Sequence, residues 1–421
     1  MQTTFPIRWA LVAWIFVISA IGYLDRVNIS IAGQSIQKEF HFNNVQLGWI
    51  FSAFVLGYAL FQAPAGRLAD RFGPRLILTL GVLWWGIFTS LITVFAPGPS
   101  SLILSLIATR FLLGMGEAVI YPASNCIVAS WIPSPERGIA NGVIFSGVGF
   151  GAALTPPLIT WLLSHYGWRS SFWASACLGL AAGGVWFIIA RNRPVAHPWV
   201  SPQELAHIQT GLPHPPKSDP PHLPTQTLAW RSILTNSNIW FVTASYFCYG
   251  YAAYIFFSWF FIYLSSVRGL NLRESSYYAM LPFAAMAIGS PVGGWISDRL
   301  TKRVGKRAGR CGVAAFGIAL SAIFIALGTQ VDSARLATVV LAAGAGALYL
   351  SQSSFWSVSA DIGGPSAGSV SGFMNMGGQI GGALTASLTP AIASHWGWTA
   401  SFLVAAALCV LGALLWTLVI L

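Results

Sequence analysis

Charge is scarce in this chain: of 421 residues only 8% are Asp, Glu, Lys or Arg, and eleven of those are acidic. The five cysteines are scattered one to an apolar stretch, without metal or redox spacing, and read as packing thiols. All seven histidines fall in loops or at the ends of apolar stretches, which excludes a histidine proton relay within them. No Gly-rich phosphate loop, nucleophile–histidine pair or metal cluster is apparent. No enzyme activity, cofactor or metal is therefore expected.

What the chain has instead is apolar length. Mean hydropathy is +0.67, and runs near the ~20 residues needed to cross a bilayer recur throughout. There are twelve, at about 9–29, 45–66, 76–96, 101–122, 138–160, 170–190, 239–264, 275–297, 311–329, 334–360, 366–392 and 397–419. The first shows no small-residue cleavage site and reads as a retained span. The net charge of +11 is a topology signal, not a nucleic-acid footprint. Fifteen Lys and Arg residues fall on the side of the N-terminus and five on the other, which predicts both termini in the cytoplasm. The expected fold is an all-α membrane protein of twelve transmembrane helices, with the lipid bilayer as partner and no nucleic acid.

The chain also repeats itself. Gly151-Ala-Ala-Leu-Thr155 and Ser164-His-Tyr-Gly-Trp-Arg-Ser-Ser-Phe172 return 230 residues later as Gly381-Gly-Ala-Leu-Thr385 and Ser394-His-Trp-Gly-Trp-Thr-Ala-Ser-Phe402. Gly66-Arg-Leu-Ala-Asp-Arg71 returns at an offset of 228 as Gly294-Trp-Ile-Ser-Asp-Arg299. Two six-helix halves of the same orientation are implied, 1–190 and 238–421. Between them, the linker 191–237 holds nine of the 23 prolines and four of the seven histidines. Ser201-Pro-Gln-Glu204 has capping-box spacing with proline at the first helical position, which predicts one short helix at about 202–211. The linker is expected to tether the halves and carry no chemistry.

Four charges stand inside the spans: Asp25 and Arg26 in the first, Arg110 and Glu117 in the fourth. An ionised group in hydrocarbon costs several kcal/mol without a partner or a wet cavity. Consecutive helical residues diverge by about 100°, so Asp25 and Arg26 cannot face one point. Tyr23 and Arg26 share a face. Arg26 is expected to face a central cavity while Asp25 turns toward a neighbouring helix and the Arg110 stripe. A guanidinium can grip a carboxylate through two parallel hydrogen bonds, and a nearby acid can take and release protons as the site fills. The four charges thus read either as proton–anion coupling or as a static network joining spans one and four.

Gly66-Arg-Leu-Ala-Asp-Arg-Phe-Gly-Pro-Arg75 resembles the signature loop of the major facilitator superfamily, and the resemblance covers essentially the whole chain. It implies gating by Asp70, Arg71, Asp298 and Arg299, with an aspartate at a helix end meeting a neighbouring helix N-terminus. Tyr23-Leu-Asp-Arg-Val-Asn28, Arg110-Phe-Leu-Leu-Gly-Met-Gly-Glu117 and Trp131-Ile-Pro-Ser-Pro-Glu-Arg-Gly138 resemble the anion:cation symporter family. That likeness implies that Arg26 holds a substrate carboxylate while Asp25 and Glu117 carry protons, with Arg110 in their charge network. It also implies substrate contacts at Tyr23, Tyr58, Ser353, Trp356 and Asn375. Gln62, on one face of span two with Tyr58, and Tyr254, on one face of span seven with Tyr251 and Ser258, complete the expected cavity. A polar amide that sugar-acid carriers often place in span five is replaced here by Ser146-Gly-Val-Gly-Phe-Gly151, whose glycines suit close helix packing.

The resulting expectation is a monomeric symporter of the bacterial inner membrane that imports an organic anion, a sugar acid, together with protons. An organophosphate–phosphate exchanger would hold phosphate between arginines of both halves, and span seven has none. A transporter-like anion sensor would usually need an output domain, and none is attached.

Overall fold

The computed structural model describes residues 6–42, 44–95, 102–212 and 228–421. The proline-rich middle of the expected linker, 213–227, lies outside them. The first half is built from α1 (Ile7–Phe40), α2 (Asn44–Phe72), α3 (Pro74–Leu91), the consecutive α4 (Leu102–Glu117) and α5 (Ile120–Trp131), α6 (Arg137–Tyr166) and α7 (Trp168–Ile189). After α8 (Pro202–Gly211) and α9 (Trp230–Thr235) come α10 (Ser237–Ser258) with the short α11 (Phe260–Ile262), and then α12 (Leu272–Val304). The second half closes with α13 (Val313–Gln330), α14 (Ala334–Leu350), α15 (Gln352–Gly363) and α16 (Ala367–Thr417).

Among the described residues, nine stretches are long and apolar enough to cross a membrane. The last of them, Ala334–Thr417, holds α14–α15 and both arms of α16, which breaks at Gly397. The tyrosine- and serine-rich α10 adds one crossing that its hydropathy understates. The architecture is all-α and consistent with twelve crossings.

The repeat explains the corners. Gly167 and Gly397 hold equivalent places in the two Ser-His-aromatic-Gly-Trp segments, and both have left-handed backbone, φ 78° and 84°. Glycine adopts that region without the steric cost another residue meets. Each therefore turns the chain between two antiparallel helices.

The halves meet where backbones approach closely. A Cβ on Gly138 or Gly142 of α6 would lie 2.6 Å from the carbonyl oxygen of Gly294 or Ser290 on α12. On the other flank, a Cβ on Gly368 of α16 would lie 2.6 Å from the Gly66 oxygen of α2. Small residues permit such contact in lipid, where association depends on packing and not on expelling water. The glycines of the 146–151 segment also pack: Gly147 and Gly151 lie against α1, and Gly149 lies 2.5 Å, Cβ to oxygen, from Phe283 of α12.

The linker helix forms where its capping sequence predicts, with the Ser201 hydroxyl accepting from the Glu204 amide at 3.1 Å. The Glu204 carboxylate does not close the capping box. It accepts the free amides of Ile7 (3.1 Å) and Arg8 (3.0 Å), so α8 caps the start of α1. Arg8 and His207 both reach Glu136, at 3.3 and 2.8 Å, just before α6 begins. Upstream, burial pushes the His197 imidazole down in pKa, and its Nε2 meets the Ile189 carbonyl at 2.8 Å.

Candidate substrate and ion site

Helices α1 and α4 bring the four intramembrane charges into one buried cluster, but the pairing is not the expected one. Arg26 Nε donates to Glu117 Oε2 at 2.8 Å, and the other Glu117 oxygen has no hydrogen-bond partner. Arg26 lies with its guanidinium carbon 4.0 Å from the centre of the Tyr58 ring and 4.8 Å from that of Tyr23. These are cation–π distances. Asp25 accepts from the Thr89 hydroxyl of α3 at 2.8 Å. Among the described residues it makes no ion pair, and Arg110 acts on it through space without direct contact. Arg110 instead packs over the Phe54 ring at 4.6 Å with its Nε unpartnered. The reason is geometric: Asp25 points at α3, while Arg110 sits toward α2.

Next to this cluster, between the halves, lies a small cavity of about 40 Å³. Tyr23, Tyr58, Tyr121 and Phe145 of the first half line it, with Tyr246, Tyr249, Tyr254, Tyr349, Gln352, Asn375 and Gln379 of the second. Of the predicted contacts, Tyr23, Tyr58, Tyr254 and Asn375 are therefore on its wall. Arg26 is one layer back, behind the two tyrosine rings, and not on the cavity face where the sequence placed it. Gln62 is also recessed and accepts from Asn375 Nδ2 at 2.8 Å. Trp356 is buried against Phe145 and Tyr121 at ring distances of 4.8 and 5.7 Å, its indole donating to the Tyr246 hydroxyl at 3.3 Å. Ser353 is buried off the cavity, its hydroxyl unpartnered.

The sequence reading missed Tyr121, Tyr246, Tyr249, Tyr349 and Gln379. On α10 it chose the face of Tyr251, Tyr254 and Ser258, whereas Tyr246, Gly250, Ala253, Tyr254 and Phe257 face the cavity. Tyr251 turns the other way and hands its backbone oxygen to Thr385 at 2.7 Å. Gly250 was the available signal, since α10 and α16 touch there, backbone to backbone, at Gly378.

On the face that carries both termini, the two repeated loops make matching clasps. Asp70 ends α2 and accepts the Gly368 and Ser369 amides at the start of α16, at 2.8 and 2.7 Å, plus the Ser369 hydroxyl at 2.5 Å. Asp298, in α12, accepts the Gly138 and Ile139 amides at the start of α6, at 2.9 and 2.7 Å. A carboxylate at a helix N-terminus satisfies orphan amides and meets the positive end of the helix dipole. The clasps differ in their other partners. Asp70 receives the Cys126 thiol at 3.2 Å, while Asp298 receives Arg310 at 2.9 Å. Arg137 also crosses to Asp361 at 2.5 Å, with Lys306 at 3.4 Å. Arg71 and Arg299 are exposed, packing over Phe72 and Trp295 of their own helices, and stand outside both clasps.

The hydrogen bonds and ion pairs between the two halves gather on this side of the cavity, with Asn375–Gln62 at 2.8 Å reaching the cavity wall itself. Besides the clasps these include Asn125–Ser359 at 3.0 Å, Asn141–Ser357 at 3.3 Å and Arg310 to the Ser134 carbonyl at 2.5 Å. Beyond that bond, the halves meet at the level of the cavity through rings, as between Tyr23 and Phe257 at 5.9 Å. The termini face is latched.

A bundle of membrane-crossing helices in two repeat-related halves, latched on one face and holding a buried ionic cluster beside a cavity between them, defines a membrane transporter. Residues 15–386 match the Major Facilitator Superfamily, and the chain belongs to that family. It is 34% identical over 363 residues to the probable sulfoacetate transporter SauU of Cupriavidus necator, covering 86% of this chain and 82% of that protein. It is 34% identical over 303 residues to the probable galactarate/D-glucarate transporter GudP of Bacillus subtilis, covering 70% and 66%. The proton:xylose symporter XylE superposes with a TM-score of 0.76 at 14% identity, over 98% of this chain and 96% of that one, a likeness of fold. The protein is a multi-pass membrane transporter, not an enzyme.

Proposed function

We propose that this transporter imports a sugar acid, a hexonate, hexuronate or aldarate, with protons across the bacterial inner membrane, its termini in the cytoplasm. The observation that carries the reading is the buried Arg26–Glu117 pair, 2.8 Å long, with the second glutamate oxygen unpartnered. The bond uses Arg26 Nε, so the Nη fork is the end offered to a substrate carboxylate. To reach it, the substrate must part the rings of Tyr23 and Tyr58. Once the guanidinium turns to the substrate, Glu117 is a buried carboxylate without its counter-charge, and taking up a proton relieves that cost. Asp25, which accepts from the Thr89 hydroxyl and makes no ion pair among the described residues, is the second acid that can do the same.

Transport then follows from the latches. In the latched form the clasps hold the termini face closed over the site. Rocking the halves apart at the termini face would break the two clasps and the Arg137–Asp361 pair and let substrate and proton leave to the cytoplasm. The test is uptake of labelled gluconate into proteoliposomes under an inward proton gradient. Accumulation should follow the gradient in the native protein and vanish in Asp25→Asn and Glu117→Gln. Gradient-driven accumulation that persists in both variants overturns the proposal.

A further inference from the structure

The two walls of the cavity differ in kind. All four intramembrane charges belong to α1 and α4. On the facing half, no Lys, Arg or His occurs between 237 and 267, the stretch holding α10, or between 336 and 394, which spans α15 and the first arm of α16. The polar side chains of that wall are neutral tyrosines and amides, each able to donate and accept. The Tyr254 hydroxyl donates to Gln379 Oε1 at 2.6 Å, and Gln352 Nε2 donates to the Tyr246 hydroxyl at 3.1 Å. Tyr249, buried on the cavity wall, has a hydroxyl with no partner. The other intramembrane cation, Arg110, packs over Phe54 and does not line the cavity.

We infer that the substrate carries one negative charge, held at Arg26, and a neutral hydroxylated chain laid against α10 and α16: a monocarboxylate of the aldonate kind, not a dianion. This rests on the symport reading above. An alcohol both donates and accepts, which suits tyrosine hydroxyls and glutamine amides. A second carboxylate or a sulfonate lying against that wall is a buried acceptor-only anion without a cation, and its lost hydration is not repaid there. The site therefore rejects a dianion by what it lacks. Relatives named for galactarate/D-glucarate and sulfoacetate transport make the distinction a sharp one for this chain.

Calorimetric titration of the purified protein at pH 7 with four probes tests it: gluconate, glucarate, gluconamide and sulfoacetate. Gluconate and glucarate differ only in whether the far carbon is an alcohol or a carboxylate. Gluconate should bind about tenfold or more tighter than glucarate or sulfoacetate, and gluconamide should not bind. A Gln379→Arg variant, shown folded by its melting temperature, should gain affinity for glucarate. Glucarate binding as well as gluconate while gluconamide fails, or no gain in folded Gln379→Arg, overturns this inference and leaves the carboxylate site at Arg26 standing. Gluconamide binding as well as gluconate, or binding of sulfoacetate alone, overturns the sugar-acid reading and this inference with it.

Discussion

Arg26 does two things that only arginine does together. It stacks on Tyr58 and Tyr23, and it bonds Glu117 through one nitrogen while keeping a planar fork in reserve. A lysine at that position keeps the charge but loses the fork and the stacking. Arg26→Lys should therefore weaken gluconate binding about tenfold or more in calorimetry, and Arg26→Ala should abolish it. Affinity retained in the alanine variant removes Arg26 from the site. Asp25→Asn is expected to leave binding intact and to stop proton-driven accumulation, because an amide oxygen can still accept from the Thr89 hydroxyl. The discriminating measurement is counterflow exchange beside gradient-driven uptake, where the first should survive and the second should not.

At the scale of elements, short acidic tips hold long helices. Asp70 satisfies two amides and a hydroxyl at the start of α16, so Asp70→Asn removes the charge and part of the acceptor capacity, a change of about 1–2 kcal/mol in the latched form. Transport rate should change more than substrate affinity, and an unaltered rate would count against the clasp as a gate. Glu39, near the end of α1, belongs to another such tip. Arg169 and the Trp168 indole at the start of α7 hold its carboxyl below the usual glutamate range. The clamp therefore stabilises the fold fully above the ordinary glutamate pKa and is lost as pH falls through the depressed one. Melting temperatures of the native protein and Glu39→Gln should differ at neutral pH and converge in acid.

For the whole molecule, the latch is one-sided. Asp361 gathers Arg137 from the first half with Lys306 and Arg310 from the second, and Cys126 sits beside the other clasp under Asp70. Asp361→Asn leaves the buried Arg137 without its counter-charge, a loss of about 3 kcal/mol or more that falls on the latched form. The population should shift toward the form open at the termini face. In a chain retaining Cys126 as its single cysteine, maleimide labelling should then run several-fold faster than with Asp361 intact. Equal labelling rates would show that the pair does not hold that face shut.

The spans, the two halves, the linker helix at 202–211 and the equivalent glycines at 167 and 397 were all legible in the sequence. They follow from apolar length, repetition and capping chemistry, which act over a few residues. The cluster of Asp25, Arg26, Arg110 and Glu117 was legible too, because charge in hydrocarbon is rare enough to identify itself. Who pairs with whom was not legible. Asp25 meeting Thr89, Arg26 withdrawing behind Tyr23 and Tyr58, and Gln379 and Tyr246 turning inward depend on helix rotations fixed by contacts between distant backbones, such as Gly250 on Gly378. Arg310 enters the Asp298 clasp from a π-helical turn at Arg307–Gly312, a local rewinding that hydropathy does not register. Composition determined that this chain spans the membrane and carries ions within it. Only the packing of one half against the other decided which side chains share a cavity, because that depends on helix faces and not on order along the chain.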